Sequence, residues 1–412
     1  MKERGKFMKR LFRRATALAL STALCASMVF TGCSSTPSGS SSGAASSAAP
    51  VSTAASATNA NGDSGKYPAA STLPHYTIGI VIHSTQDFLT SHLKDYMDYL
   101  GKSFNVDFKF QIIENFSDDT YLNAIENLCS QGVNGVICTN FSGTAIVKGI
   151  SICQSHKVYM GIGFSQITDS SIRDSALNNP YYVGSAYESD FKAGYDIVKT
   201  LAEKGSKNIA AIGYTPGITC HDRRWAGILQ AFKDFPNVKK VGEYRGTNWT
   251  PALQNFLATN SDMDGVAITL LGMELCSQPI KAAGKQGKVK IACVDFSDKS
   301  LAGLQDGELA ITIGGQFVDT FFPFILMYNK LAGTPLSDKA EEIQVPLVEC
   351  TTAQQFQDYM KYVNGSIWPW TADEAKAYVK KFNPNAKIGD LINAASSYST
   401  ENVKERHAQW FK

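Results

Sequence analysis

The stretch YTIGIVI at residues 76–82 carries no charge and is dominated by β-branched side chains, the composition of a strand buried on both faces. The period then changes. Leu89, Leu93, Met97 and Leu100 fall on one face of a helix, and residues 104–113 return to strand character. The alternation continues with a helical stripe at Leu122, Ile125, Leu128 and Cys129, the strand GVICT at 135–139, a helix over 143–153 and a strand over 158–163. Such a βαβα series with nearly continuous apolar strands predicts a parallel sheet covered by helices on both faces.

The pattern then restarts. Residues 208–214 (NIAAIGY), 265–270 (GVAITL) and 289–294 (VKIACV) read as apolar strands, and Trp225, Ile228, Leu229 and Phe232 stand at i, i+3, i+4 and i+7 of an intervening helix. Two doubly wound halves exceed what one sheet normally holds, so the expected fold is α/β with two parallel-sheet lobes. Ligands of such sheets bind beyond the carboxyl ends of the strands, and two lobes with facing strand ends would enclose a cleft.

Ahead of these halves stands an export signal. Seven basic residues and one acidic residue lie within 1–32, followed from Ala15 by a charge-free apolar run to Phe30, then Thr31, Gly32 and Cys33. The run is short for a membrane span and has the layout of a secretory signal. Residues 33–74 are expected to form a disordered tether, because 34–61 are uncharged and almost wholly Ser, Ala, Thr, Gly and Pro. Without the leader, the charge balance of 39 basic and 37 acidic residues becomes 39−7=32 against 37−1=36, a net of −4. That argues against nucleic-acid binding, which needs a basic surface. Beyond Cys25 and Cys33 there are seven cysteines with no CxxC spacing, which read as small buried hydrophobes rather than a disulfide framework or zinc site.

The segments Ile80–Ser84 (IVIHS), Gly135–Asn140 (GVICTN), Arg224–Gly227 (RWAG), Ala292–Asp295 (ACVD) and Gly307–Ile313 (GELAITI), in this order, resemble type I periplasmic binding proteins, in the ribose/galactose-type, LacI-like branch serving sugar ABC importers. The resemblance covers about residues 75–350. Phe30–Cys33 likewise resembles a bacterial lipobox, which implies acylation at Cys33 and an extracytoplasmic, membrane-anchored lipoprotein. A repressor of the same fold carries a helix-turn-helix where this chain has its leader and tether.

The resemblance implies three chain crossings, near 184–187, 315–317 and 345–348. The first lobe would then hold 75–185 and 317–345, and the second 186–316 and 346–350. Residues 351–412 go beyond compact relatives, and the helix-like stripes Phe356, Tyr359, Met360 and Ala375, Tyr378, Val379 predict a helical extension packed on the second lobe, with a docking surface for a permease or sensor as the alternative. It also implies ligand contacts from Asp295, from Ser84, Gln86, Asp87 and Phe88 after the first strand, from Asn140, and from Gln316 at a crossing. Each has a structural alternative: Asp295 a turn residue, Phe88 a core residue, Gln316 a hinge residue. Where many relatives carry Asp-Arg this chain has Gly163-Phe164, and where many carry Asn-Asp it has Leu270-Leu271. The family's arginine five residues before Gly227 is replaced by Asp222, followed by Arg223 and Arg224. Asp222 either contacts ligand or closes a capping box with Thr219. These exchanges favour a ligand with fewer hydroxyls or a flatter apolar face than ribose, stacked between Phe88 and Phe164.

No GxSxG, HExxH or phosphate loop occurs, so the chain is expected to be a binder rather than an enzyme, monomeric and without cofactor or metal. Its expected partners are a small sugar-like metabolite and an ABC permease with its ATPase. A sensory lipoprotein presenting its ligand to a receptor or histidine kinase is the open alternative.

Overall fold

The computed structural model describes residues 64–113 and 117–411; the leader, Cys33 and most of the expected tether lie outside them. The described strands are β1 (Tyr76–Ile82), β2 (Val106–Ile112), β3 (Gly135–Thr139), β4 (Tyr159–Gly163), β5 (Tyr182–Glu188), β6 (Asn208–Gly213), β7 (Lys239–Arg245), β8 (Gly265–Ile268), β9 (Lys290–Val294), β10 (Leu309–Gly314), β11 (Glu341–Val345) and β12 (Val348–Cys350). They form two six-stranded sheets, ordered β11-β5-β4-β3-β1-β2 and β12-β10-β9-β8-β6-β7. All pairs are parallel except β10 with β12. The two-lobe α/β reading therefore holds. Strand β7 (KKVGEYR) escaped the sequence reading because it is an edge strand whose Lys and Glu mask the apolar period.

The chain passes between the sheets after β5, after β10 and between β11 and β12. The first passage falls at 188–190 rather than 184–187, because β5 pairs with β11 up to the Glu188–Val345 register. Glu188 thus ends a strand of the first lobe, and Asp190 begins the first helix of the second, Asp190–Glu203.

Helix Phe88–Phe104 follows the general logic of the fold. Asp87 caps its start by accepting from the Thr90 amide, and Leu93, Tyr96, Met97, Leu100 and Phe104 bury one face. Asn105, left-handed at φ 56°, ends it. In the second lobe, the Asp190–Glu203 and Thr219–Asp234 helices touch through two glycines. A Cβ on Gly194 would stand 1.8 Å from the Arg224 carbonyl oxygen, and one on Gly227 would stand 2.0 Å from that of Phe191. Only this close approach brings Arg224 beside Asp190.

The extension does not sit on the second lobe alone. Trp370 stacks on Phe321 with ring centroids 4.9 Å apart, and the Tyr96 hydroxyl donates to the Trp370 carbonyl at 3.0 Å, both first-lobe partners. Tyr359 and Phe356 pack on Phe296 of the second lobe. The reason is compositional: the extension's aromatics match the aromatic face of the Phe321–Leu331 helix, which is buried along nearly its whole length. The end of the expected tether is also fixed, since Lys376 donates to the Pro68 carbonyl and Asn105 to that of Leu73. The seven described cysteines are buried free thiols.

Candidate ligand-binding site

A cavity of about 220 Å³ lies where the carboxyl ends of both sheets meet. That is below the ~300–1,000 Å³ usual for drug-sized ligands and suits one small metabolite. From the first sheet it is lined by His83 after β1, Asn140 after β3, Phe164 after β4 and Glu188 at the end of β5; from the second by Tyr214 after β6, Leu270 after β8 and Asp295 after β9. The lobes touch beside it: the Thr219 hydroxyl donates to the Phe141 carbonyl at 3.4 Å.

Backbone strain concentrates here. Six described non-glycine residues have positive φ, and four of them line the cavity: Asn140 (29°), Phe164 (61°), Leu271 (22°) and Asp295 (74°). Each such conformation costs on the order of 1–3 kcal/mol for a residue with a Cβ, and such outliers collect at ligand clamps.

Of the residues expected to contact ligand, Asp87, Asn140, Phe164, Leu270, Asp295 and Gln316 line the cavity. Ser84, Gln86, Phe88, Asp222 and Arg223 do not. Ser84 closes the loop by accepting from the Gln86 amide. Phe88 turns away from the cavity, its ring against His92 at 4.6 Å, and Leu89 takes its place at the wall. The sandwich between Phe88 and Phe164 is therefore not formed. Asp222 makes no capping box with Thr219: its carboxylate accepts from the Gly217 amide and pairs with Arg245, while Thr219 is drawn to Phe141. The arginine of this helix that reaches the cavity is Arg224, two residues beyond the expected position.

Arg224 organises the charge of the site. Its Nε donates to Asp190 Oδ1 at 2.8 Å and its Nη1 to the Thr269 carbonyl at 3.2 Å, and it is 4% exposed. Asp295 accepts from the Gln316 amide at 2.7 Å, and burial raises its pKa although Arg224 opposes the shift. Burial pushes Asp190 up to about 6 against the pull of Arg224. Asp87 behaves oppositely: despite its burial, hydrogen bonds from His83 and Thr90 hold its carboxyl well below the usual range. His221, stacked on Tyr214 at 4.9 Å, is kept neutral by burial and by Arg224.

Several lining residues went unread in the sequence. Tyr214 ended a recognised apolar run, so the strand-end rule alone would have found it. Arg224, within RWAG, marks the fold in the sequence rather than the site. Glu188 gives no signal in the sequence, since it lies beyond the crossing expected at 184–187.

The periplasmic binding protein domain family matches residues 78–324. No curated protein matches by sequence. Among solved structures, a periplasmic solute-binding protein of an ABC transporter from Actinobacillus succinogenes, with D-allose bound, is similar at 19% identity and TM-score 0.59, over 69% of this chain and 100% of that one. A solute-binding protein from Bacillus halodurans, with bound myo-inositol, is similar at 17% identity and TM-score 0.58, over 69% of this chain and 97% of that one. A 5-methylthioribose transporter solute-binding protein from Thermotoga lettingae, in complex with 5-methylthioribose, is similar at 15% identity and TM-score 0.58, over 77% of this chain and 98% of that one. At these identities the likeness is one of fold.

Proposed function

The chain belongs to the periplasmic binding protein domain family, and from that premise we propose that it is an extracytoplasmic lipoprotein, acylated at Cys33, that captures one small sugar-like metabolite for an ABC permease and its ATPase. The observation carrying this reading is the cavity built from the strand ends of both sheets. Only a closed pair of lobes touches a ligand from both sides, so ligand binding shifts the open–closed population toward closure, and the closed form is what a permease would recognise.

The wall is divided by chemistry. Asp295, Gln316 and Asn140 offer a cluster of hydrogen-bonding groups, whereas Phe164, Leu270 and Leu271 offer apolar area. That division fits a compact ligand with a polar edge and an apolar face. The bound allose, inositol and 5-methylthioribose of the similar structures are of this size class.

The test is mass spectrometry of whatever co-purifies with the native protein, followed by titration of that compound. Phe164→Ala is expected to weaken its binding about tenfold or more, since an aromatic face is worth on the order of 1.5 kcal/mol. Unchanged affinity would remove Phe164 from the site, and absence of binding by any metabolite would end the reading.

A further inference from the structure

Glu188 stands at the junction of the first sheet and the first crossing. It is 1% exposed, lines the cavity, and its Oε2 has no hydrogen-bond partner. Its Oε1 lies 3.8 Å from Arg224 Nη2, but that guanidinium is already engaged by Asp190 and the Thr269 carbonyl. Arg224 also stands 4.0 Å from Asp295, and close behind lies Asp319, fully buried and without a side-chain partner. Four carboxyl groups, Glu188, Asp190, Asp295 and Asp319, thus gather around the Arg224 guanidinium, with Arg223 adding to its pull on Asp190. A buried anion without a partner costs several kcal/mol, so the cluster calls either for protons or for a further cation. Among the described residues no group of three His, Cys, Asp or Glu converges to hold a metal ion.

Resting on the solute-binding reading above, we propose that the cleft selects a monosaccharide-sized polyol bearing a protonated amine, with Glu188 receiving the ammonium. The cavity size admits one such molecule, and Asp295, Gln316 and Asn140 remain for its hydroxyls. His221 is neutral and adds no competing positive charge, and the His83 imidazole faces the Asp87 carboxylate at 3.4 Å. Without ligand, burial and then the nearby Asp190 push the Glu188 carboxyl up to about 8, so it keeps its proton at neutral pH. An arriving ammonium replaces that proton, which leaves to solvent, and the carboxylate and ammonium form a charge-assisted hydrogen bond.

The experiment is calorimetric titration of the detergent-solubilised full chain in two buffers of different ionisation enthalpy. The probes are D-glucosamine, D-galactosamine and D-mannosamine, each beside its neutral hexose and its N-acetyl derivative. At least one amine should bind about tenfold or more tighter than both neutral counterparts, with proton release near pH 7 that Glu188→Gln diminishes. Neutral or N-acetylated sugars binding as tightly as the amines would overturn the proposal while leaving the solute-binding reading standing. An amine preference that survives intact in Glu188→Gln would equally overturn the role of Glu188. If that variant does not fold, proton release by the wild-type chain with an amine and not with its N-acetyl derivative decides. If none of the nine binds and the co-purified compound lacks an amine, the cation proposal falls alone; if nothing binds and nothing co-purifies, both readings fall.

Discussion

Two regions of this molecule are equally shielded from water and obey opposite rules. Where the C-terminal extension meets the first lobe, Tyr96, Phe321, Phe322 and Trp370 stack against one another, and the hydroxyl of Tyr96 has its acceptor. Around Arg224, polar groups of similar burial are left short of partners, and the residues beside them hold strained backbone angles. The first arrangement is what packing alone would produce. The second persists only if something else selects it, and a cleft that must bind and release a ligand is such a cause.

The contrast can be broken or sharpened by measurement. Ending the chain at Cys350 should have the largest effect, because it uncovers Tyr96, Phe321 and Phe322 together. The expected outcome is loss of the cooperative unfolding transition in calorimetry, and a truncated chain that melts cooperatively would make the extension an independent appendage. Trp370→Ala should cost ~3–5 kcal/mol in urea unfolding, and about equally at about pH 5 and about pH 8, since the one charge over its ring belongs to the guanidinium of Arg406.

Arg224→Met should also cost ~3–5 kcal/mol near pH 8, where it strands buried carboxylates, but markedly less near pH 5, below the values of about 8 and about 6 to which Glu188 and Asp190 are raised. A pH-independent loss would mean that the cluster is not short of positive charge. The wild-type chain should show a smaller trend of the same sign. Glu188 and Asp190 are raised by burial to about 8 and about 6 in the folded state, above their unfolded values. A folded carboxyl with a raised pKa binds its proton more tightly than the unfolded one, so its contribution is complete at acid pH and is lost as pH rises through the folded value. The urea midpoint should therefore fall between about pH 5 and pH 8, and Glu188→Gln should flatten the slope. Smallest is Tyr398→Phe, which removes the hydroxyl donating to the Gly315 carbonyl at 2.9 Å and should cost ~1 kcal/mol.

Legibility in the sequence followed the same division. The core strands were visible because a strand buried on both faces leaves an uninterrupted apolar run: β1 at 76–82 and β3 at 135–139 match residue for residue. Edge strand β7 was not, since exposure mixes its composition. At the site, Asp295, Asn140 and Phe164 line the cavity, and each directly follows such a run at a position where the family resemblance directs attention. Phe88 and Leu89 show where the method stops. Both are apolar neighbours at a helix start, and only the helix's rotation about its axis, set by Tyr96 and Phe104 against the Phe321–Leu331 helix, decides which faces the ligand. The Arg224 cluster was hidden for a related reason: Gly194 and Gly227, more than thirty residues apart, must meet before Arg224 and Asp190 become neighbours.

The contact of Tyr398 with Gly315 has a mechanical consequence. Gly315, left-handed at φ 91°, lies on the second of the three passages of chain between the lobes, and its carbonyl is gripped by the extension, which also grips both lobes through Trp370 and Tyr359. Parting the halves on that side would wet a stack of aromatic rings, at roughly 25 cal/mol for every square ångström uncovered. Opening of the lobes would therefore swing like a door hung on a stiffened jamb: the extension would fix the edge about which they turn, and a solute would enter by the opposite rim.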